Sequence, residues 1–271
     1  MPTFQIRFFA QPVFCQPVFL LMLRLIALIL PIAIFAAWYW AGEYAGIPVI
    51  LLPPPSMVAR SFAELWESGA LFQHIGMSAF RTLSGFGLAS AVGIGLGVWF
   101  AVKPLAGRFA SFVVEAFRLT PPLALIPLLI LWLGIDEAPK IAIVFLSSFF
   151  PIYLNALTAV KSVDPKLKEV ARLLRFTPSE TFRMLILPSA LPGILTGLRL
   201  GFGYSWRALV GAELIAASSG LGFLISESAE FGKTDVVFVG IITIVVLGIA
   251  ADAVISKLVE ALCRRLQGGA R

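Results

Sequence analysis

The sequence predicts an all-α integral membrane protein, and three observations carry that assignment. Hydrophobic residues make up 59% of the 271 positions and charged residues 13%, with a mean hydropathy of +0.94. The charged fraction is about half that of an ordinary soluble domain. Several apolar runs also approach the roughly 20 residues that a spanning helix requires. Against that background, the segment from Asp164 to Pro188 is charged and doubly capped, so it has to lie in water between spans. Buried strands can be as apolar, but they run about 4 to 8 residues between turn signals, and these runs do not stop there. The expected fold is six transmembrane helices with a cytoplasmic two-helix loop, the spans being Leu20 to Ala41, Ser78 to Val102, Phe109 to Leu133, Ile141 to Val160, Leu191 to Ala217 and Val236 to Ser256.

The chain opens with Gln-Pro-Val-Phe twice, at Gln11 and Gln16, without periodicity, which reads as a short cytoplasmic tail. The first span is too long for an ordinary cleaved signal and ends in Trp38-Tyr39-Trp40, an aromatic belt for the outer surface, so it is expected to stay as an anchor. Gly42 to Gln73 is the largest external segment. Leu52-Pro53-Pro54-Pro55 leads to Ser56, a plausible cap for a short helix through Glu67; that helix suits either a protein partner or the surface of the outer leaflet. The organisation expected is 1–73 for tail, first span and external loop, 74–260 for the transmembrane core, and 261–271 for a cytoplasmic tail.

Small residues indicate how the spans meet. Gly93 and Gly97 in the second span, and Gly193, Gly197 and Gly201 in the fifth, recur every four residues on one helix face, which lets backbones approach closely, although such spacing also arises by chance. Pro121, Pro122 and Pro127 interrupt the third span. A broken helix at membrane depth is tolerated where it is buried in protein or lines a cavity, which makes Pro121 and Pro122 candidates for a path through the bundle.

The charged segment is built as two helices. Asp164 caps the first ahead of Pro165, and Thr177-Pro178-Ser179-Glu180 forms a capping box for the second, which Pro188 is expected to stop before Pro192 marks the next span. In the first helix Leu167, Val170, Ala171 and Leu174 share a face while Lys166, Lys168, Glu169, Arg172 and Arg175 fill the rest. This is the pattern of a helix that lays one side in a groove.

At these residues the chain resembles the inner-membrane permease subunits of bacterial ABC importers. Their cytoplasmic loop reads Glu-Ala-Ala, three residues, Gly, and ends in Ile/Leu-x-x-Pro; here it reads Glu169-Val170-Ala171, Arg175, and Ile186-Leu187-Pro188. Arg175 stands where the family has a Gly that ends the first helix in a left-handed conformation. A non-Gly residue costs about 1 kcal/mol or more there, so a differently built turn is expected. Leu119 to Ile141, Gly197 to Leu214, Gly220 to Ile225 and Lys233 to Ile241 look like the nitrate/sulfonate/taurine/bicarbonate branch. The resemblance runs from about Leu52 to the end.

It implies a subunit in the bacterial inner membrane that pairs with a second copy of itself, with two ATP-binding subunits on the cytoplasmic side and with a periplasmic or lipid-anchored solute-binding protein outside. The ATPase-coupling residues it implies are Glu169, Ala171, Arg172, Arg175, Thr177, Glu180 and Pro188, and the external contacts Glu64, Glu67, Glu227 and Glu230. The solute is expected to be a small anion, with a pyrimidine-type vitamin precursor or an aromatic acid as the alternative. ATP and Mg belong to the partner, and this chain is expected to bind no cofactor.

The net charge of +6 reads as membrane topology instead of a nucleic-acid surface. With the N-terminus inside, Arg7, Arg24, Lys103, Arg108, Lys161, Lys166, Lys168, Arg172, Arg175, Arg183, Lys257, Arg264, Arg265 and Arg271, fourteen of the 21 basic residues, fall in the cytoplasm. Arg60, Arg81, Lys140 and Lys233 fall outside or near the outer ends. Ionisable residues within spans cost about 2.5 to 3.5 kcal/mol each at the membrane centre unless paired or wet. Glu115 and Arg118 are three apart and can neutralise each other, Glu213 can meet a basic residue on another span, and Arg199 and Asp252 await partners. Arg207, beside Trp206 and Tyr204 in mid-span, is either such a structural charge or a contact for the solute; with Glu213 these residues complete the candidate substrate path.

Catalytic chemistry has no footing. One histidine, His74, excludes a His-rich metal site, and no Gly-x-x-x-x-Gly-Lys-Ser/Thr loop is present. Cys15 and Cys263 lie on the reducing side in no metal-binding pattern. A competing class is an ion-coupled secondary transporter or channel, with Glu213 and Asp252 as coupling groups. The two-helix cytoplasmic loop separates the classes, since only the ATP-driven one needs it.

Overall fold

The computed structural model describes residues 17–268, and every element in it is helical. Arg7, Gln11, Cys15, Gln16 and Arg271 lie outside the described residues. The chain divides into two compact units, Met1–Met57 and Val58–Arg271.

In the first unit, α1 (Pro17–Tyr44) contains the expected first span and extends it at both ends. The indole of Trp38 donates to the carbonyl of Pro53 at 3.0 Å, folding the proline run back toward the helix. α2 (Pro55–Glu67), which begins in this unit and runs on into the second, starts two residues earlier than a cap at Ser56 requires. Ser56 therefore sits inside the helix and is not its cap; its hydroxyl donates to Glu43 at 2.6 Å.

In the second unit, four segments are long and apolar enough to cross a membrane, namely Ala70–Val102, Glu137–Lys161, Pro178–Glu230 and Thr234–Arg264. They contain the expected second, fourth, fifth and sixth spans. The first three supply α3 (Ala70–Val102), α6 (Glu137–Lys161) and α9 (Leu187–Ala216). α6 is clasped between α3 and α9, and the glycine rows explain why. A Cβ on Gly197 would lie 2.6 Å from the Asn155 side chain, and one on Gly97 would lie 2.7 Å from the Tyr153 carbonyl, both on α6. Ala156 and Val160 then pack with Ala190 and Ile194 in a dry core. The four-residue spacing is thus a packing device and not chance.

The expected third span is not one helix. α4 (Pro104–Leu119) ends at Thr120, a 3-10 turn covers Pro122–Leu125, and α5 (Ile126–Leu133) resumes for eight residues. Each residue before a proline is driven to extended backbone, so Thr120 and Pro121 adopt ψ of 122° and 121° and the helix cannot pass.

The second correction falls at Pro188, which does not stop a helix. α7 (Pro165–Leu173) is followed by α8 (Pro178–Glu180), six residues of π-helical turns, Thr181–Ile186, and then α9 without interruption. Pro188 lacks an N–H and its ring crowds the carbonyl four residues back. The wider π turns absorb that mismatch, as the Leu187 N–H reaches back five residues to the Phe182 carbonyl. α10 (Leu221–Glu230) and α11 (Thr234–Gly268) complete the unit.

Candidate functional site

The expected caps of the charged segment form. The Asp164 carboxylate accepts from the Lys166 N–H at 2.8 Å. Thr177 and Glu180 close a reciprocal box, the Thr177 N–H donating to Glu180 at 2.8 Å and the Glu180 N–H to the Thr177 hydroxyl at 3.3 Å. Arg175 adopts φ +57°, the left-handed conformation a glycine would take, so the turn is not rebuilt. The Phe176 N–H closes it on the Ala171 carbonyl at 2.9 Å. Ala171 is 3% exposed and is the one residue of α7 turned inward. Glu169, Arg172, Arg175, Thr177, Glu180 and Pro188 are exposed, as are Leu167, Val170, Leu173 and Leu174. Among the described residues the apolar stripe of α7 thus has no cover, and Glu169 makes no ion pair, not even with Arg172.

The candidate path residues do not act as one group. Tyr204 and Arg207, one turn apart on α9, both line a cavity of about 560 Å³ with Pro122 and Arg118. The Arg207 guanidinium lies over the Tyr204 ring, 5.8 Å from its centroid. Arg207 is exposed on the cavity wall and not buried as its mid-span position suggests. Trp206 points elsewhere, packing with Leu71, Leu221 and Leu224 and against Gly248 of α11. Pro121 is not among the residues lining the cavity; it sets the break that brings Pro122 and Leu123 there.

Glu213 leaves the path as well. It is 1% exposed, and its partner is Arg81, 0% exposed, which the charge pattern had placed at the outer end of its span. Arg81 donates to Glu213 at 2.6 Å, to Glu137 at 2.9 Å, and to the Ser219 carbonyl and hydroxyl at 2.6 and 3.0 Å. Ser78 donates to Glu213 at 2.9 Å and accepts the Leu221 N–H at 2.9 Å, while the Gly222 N–H reaches Glu213 at 3.0 Å. Lys140, also buried, joins through Glu137 at 3.2 Å. Gly220 closes against this cluster at φ +110°, where a Cβ would lie 2.3 Å from the Glu213 carboxylate, so only glycine fits. The His74 ring accepts from the Gly220 N–H at 3.1 Å. Four helices are thus knotted at one end of the bundle. The expected meeting of Glu213 with a basic residue on another span is thus found, while the identity of that residue, Arg81, and the network around the pair were not foreseen, although burial makes such opposite charges seek each other.

The other span charges pair as their spacing allows. Arg118 bonds Glu115, its Nε at 3.1 Å, and Arg199 on α9 meets Asp252 on α11 at 3.1 Å.

The chain matches the family model described as binding-protein-dependent transport system inner membrane component over residues 93–262. It is 38% identical over 237 residues to a Bacillus subtilis permease protein named for aliphatic sulfonates transport, SsuC, covering 88% of this chain and 86% of that one. It is 36% identical to the taurine transport system permease protein TauC of Escherichia coli, covering 86% and 84% of the two chains, and 28% identical to the nitrate import permease protein NrtB of Synechocystis, covering 76% and 78%. Among solved structures, an inward-facing MetNI methionine ABC transporter matches with a TM-score of 0.61 at 20% identity, covering 73% of this chain and 96% of that one. That likeness shows a shared fold.

Proposed function

The chain belongs to the family of binding-protein-dependent transport system inner membrane components, and on that footing we propose how this ABC permease subunit works. Two copies form the translocation unit, each crossing the membrane six times with both termini in the cytoplasm, the broken α4–α5 region and α1 supplying the two crossings beyond the four long apolar segments. The working division is 1–73 for anchor and external loop, 74–260 for the core and 261–271 for the tail. A solute-binding protein delivers a small anion, sulfonate-like by analogy with SsuC and TauC, to the external face, where exposed Glu64, Glu67, Glu227 and Glu230 are available for contact. Two separate subunits hydrolyse ATP with Mg on the cytoplasmic face.

The observation that carries this reading is one of continuity. The helix that starts at the Thr177 cap runs through the π turns into α9 and carries Tyr204 and Arg207 on the cavity wall. A displacement applied to the cytoplasmic segment is therefore delivered to the path without a hinge loop between them. α7, held to that helix through Ala171 and the Arg175 turn, offers Glu169, Arg172 and its uncovered leucines to the ATPase groove. The secondary-transporter reading loses Glu213 as a coupling group, because it is fully buried in its ion pair with Arg81.

Glu169→Lys tests the coupling. An exposed helix charge is worth about 0.2 to 0.5 kcal/mol to its own helix, too little to unfold the bundle. Normal insertion with weakened ATPase recruitment, or ATP hydrolysis detached from uptake, is expected in vesicles reconstituted with both partners. Recruitment and uptake both at the parent level would overturn it.

A further inference from the structure

Arg118 shares the cavity wall with Arg207, but the two cations are held differently. Arg207 has no carboxylate partner among the described residues, and only the Tyr204 ring lies beside it. Arg118 is bound by Glu115 through both Nε and Nη2, with both side chains roughly half open to solvent. The buried pair Arg81–Glu213 cannot be parted without stranding a charge, whereas an open pair exchanges its partner cheaply. The rest of the wall is mostly apolar, with Leu123, Leu146, Phe150 and Leu200, apart from the hydroxyls of Thr120 and Ser147.

Resting on the reading of this cavity as the translocation path, we propose that Glu115 is a built-in stand-in for the solute: it masks Arg118 until the head group of an arriving oxyanion displaces it. The guanidinium fork that holds two carboxylate oxygens presents the same pair of N–H groups to two oxygens of an oxyanion. Glu115 stays within a helical turn of Arg118 whether paired or displaced, so the two cations and one carboxylate leave the wall of each subunit with one net positive charge. The wall therefore favours a singly charged head group with a short apolar tail over a doubly charged ion, whose second charge would go unmatched among the leucines. Glu115 is a specificity-determining residue in this scheme, and Arg118 the cation it controls.

The charge of the wall can be read without any solute. In the assembled transporter with Cys15→Ser and Cys263→Ser, Ser147→Cys places a thiol on the cavity wall. Its labelling rates by an anionic sulfonatoethyl and a cationic trimethylammonioethyl methanethiosulfonate give a ratio that follows the local charge. Glu115→Gln is expected to raise the anion-to-cation ratio roughly tenfold and Arg118→Gln to lower it by a similar factor, since one unit charge at several ångströms in a partly wet site is worth that much. Arg207→Gln is expected to lower the ratio as well. If Arg207→Gln shifts the ratio while the Glu115 and Arg118 variants both leave it unchanged, the masking role is wrong and the path reading stands. If none of the three shifts it, the cavity is not a charged path and both fall.

Discussion

Removing Arg81 should damage this protein more than removing any other single charge described above, and removing its partner as well should repair most of the damage. Arg81→Met keeps the length and apolar stem of the side chain but leaves Glu213 buried at 1% exposure with only the Ser78 hydroxyl and the Gly222 N–H beside it. Breaking a buried pair from one side costs about 3 to 5 kcal/mol, because the survivor keeps its desolvation without its counterion. Glu137 softens the loss little, since it is more than a third open and can turn to Lys140 or to water. For a chain of this size about 1 kcal/mol corresponds to 2 to 4 °C, so the melting midpoint of the purified protein in detergent should fall by roughly 6 to 20 °C. Arg81→Met combined with Glu213→Leu removes both charges, and such replacement is often neutral, so the double variant should regain most of that fall. The cycle of four proteins then yields a coupling of at least about 2 kcal/mol. A single variant that melts with the parent, or a double variant that melts lower than Arg81→Met by the full cost of a second lesion, would refute the assignment of Arg81 and Glu213 as one electrostatic unit.

Two further outcomes follow from the capped, charged segment and from the proposed topology. Arg175→Gly should leave the fold intact and raise the midpoint by an amount equivalent to about 1 kcal/mol, because φ +57° is strained for any residue with a Cβ; Arg175→Val should lower it, and the opposite ordering in paired melts would show that the turn is not left-handed in the folded protein. Cysteines at Ser179 and at Ser226 should label from opposite sides of sealed vesicles when an impermeant reagent is applied, and labelling of both from outside would rule out the six-span arrangement.

The elements whose reason is local were legible in the sequence. The caps at Asp164 and Thr177 formed as their residue types and spacing require, because each involves groups two or three positions apart. The glycine rows were legible for a related reason: a four-residue period fixes a helix face, and only a close neighbour gives that face a use. Pro121 and Pro122 likewise act on the residue before them, so the break was foreseeable even though its division into two helices and a turn was not. What escaped was set by distant groups. Arg81 and Glu213 are 132 positions apart, and hydropathy places each at a span end without saying which ends meet. Trp206 and Arg207 are neighbours in sequence but about 100° apart around a helix, so adjacency grouped residues that the fold sends to different faces.

The same distinction explains how one prolonged helix serves two purposes. A proline normally ends a helix, and a reading that stops at Pro188 separates the charged segment from the apolar core. The six residues Thr181–Ile186 change that outcome, since a π turn takes up the missing N–H without bending the chain away. π turns are less stable than α turns, so their presence at the boundary between the aqueous segment and α9 has a cost that the bundle must offset. The clasp of α6 by α3 and α9 provides that stability: Gly193, Gly197 and Gly201 seat α9 against α6 directly after the π segment, leaving no slack in which the helix could swivel. The Thr177 cap below and the glycine row above thus anchor both ends of the π segment. That leaves Arg207 and the capped, charged segment on one uninterrupted run of helical turns.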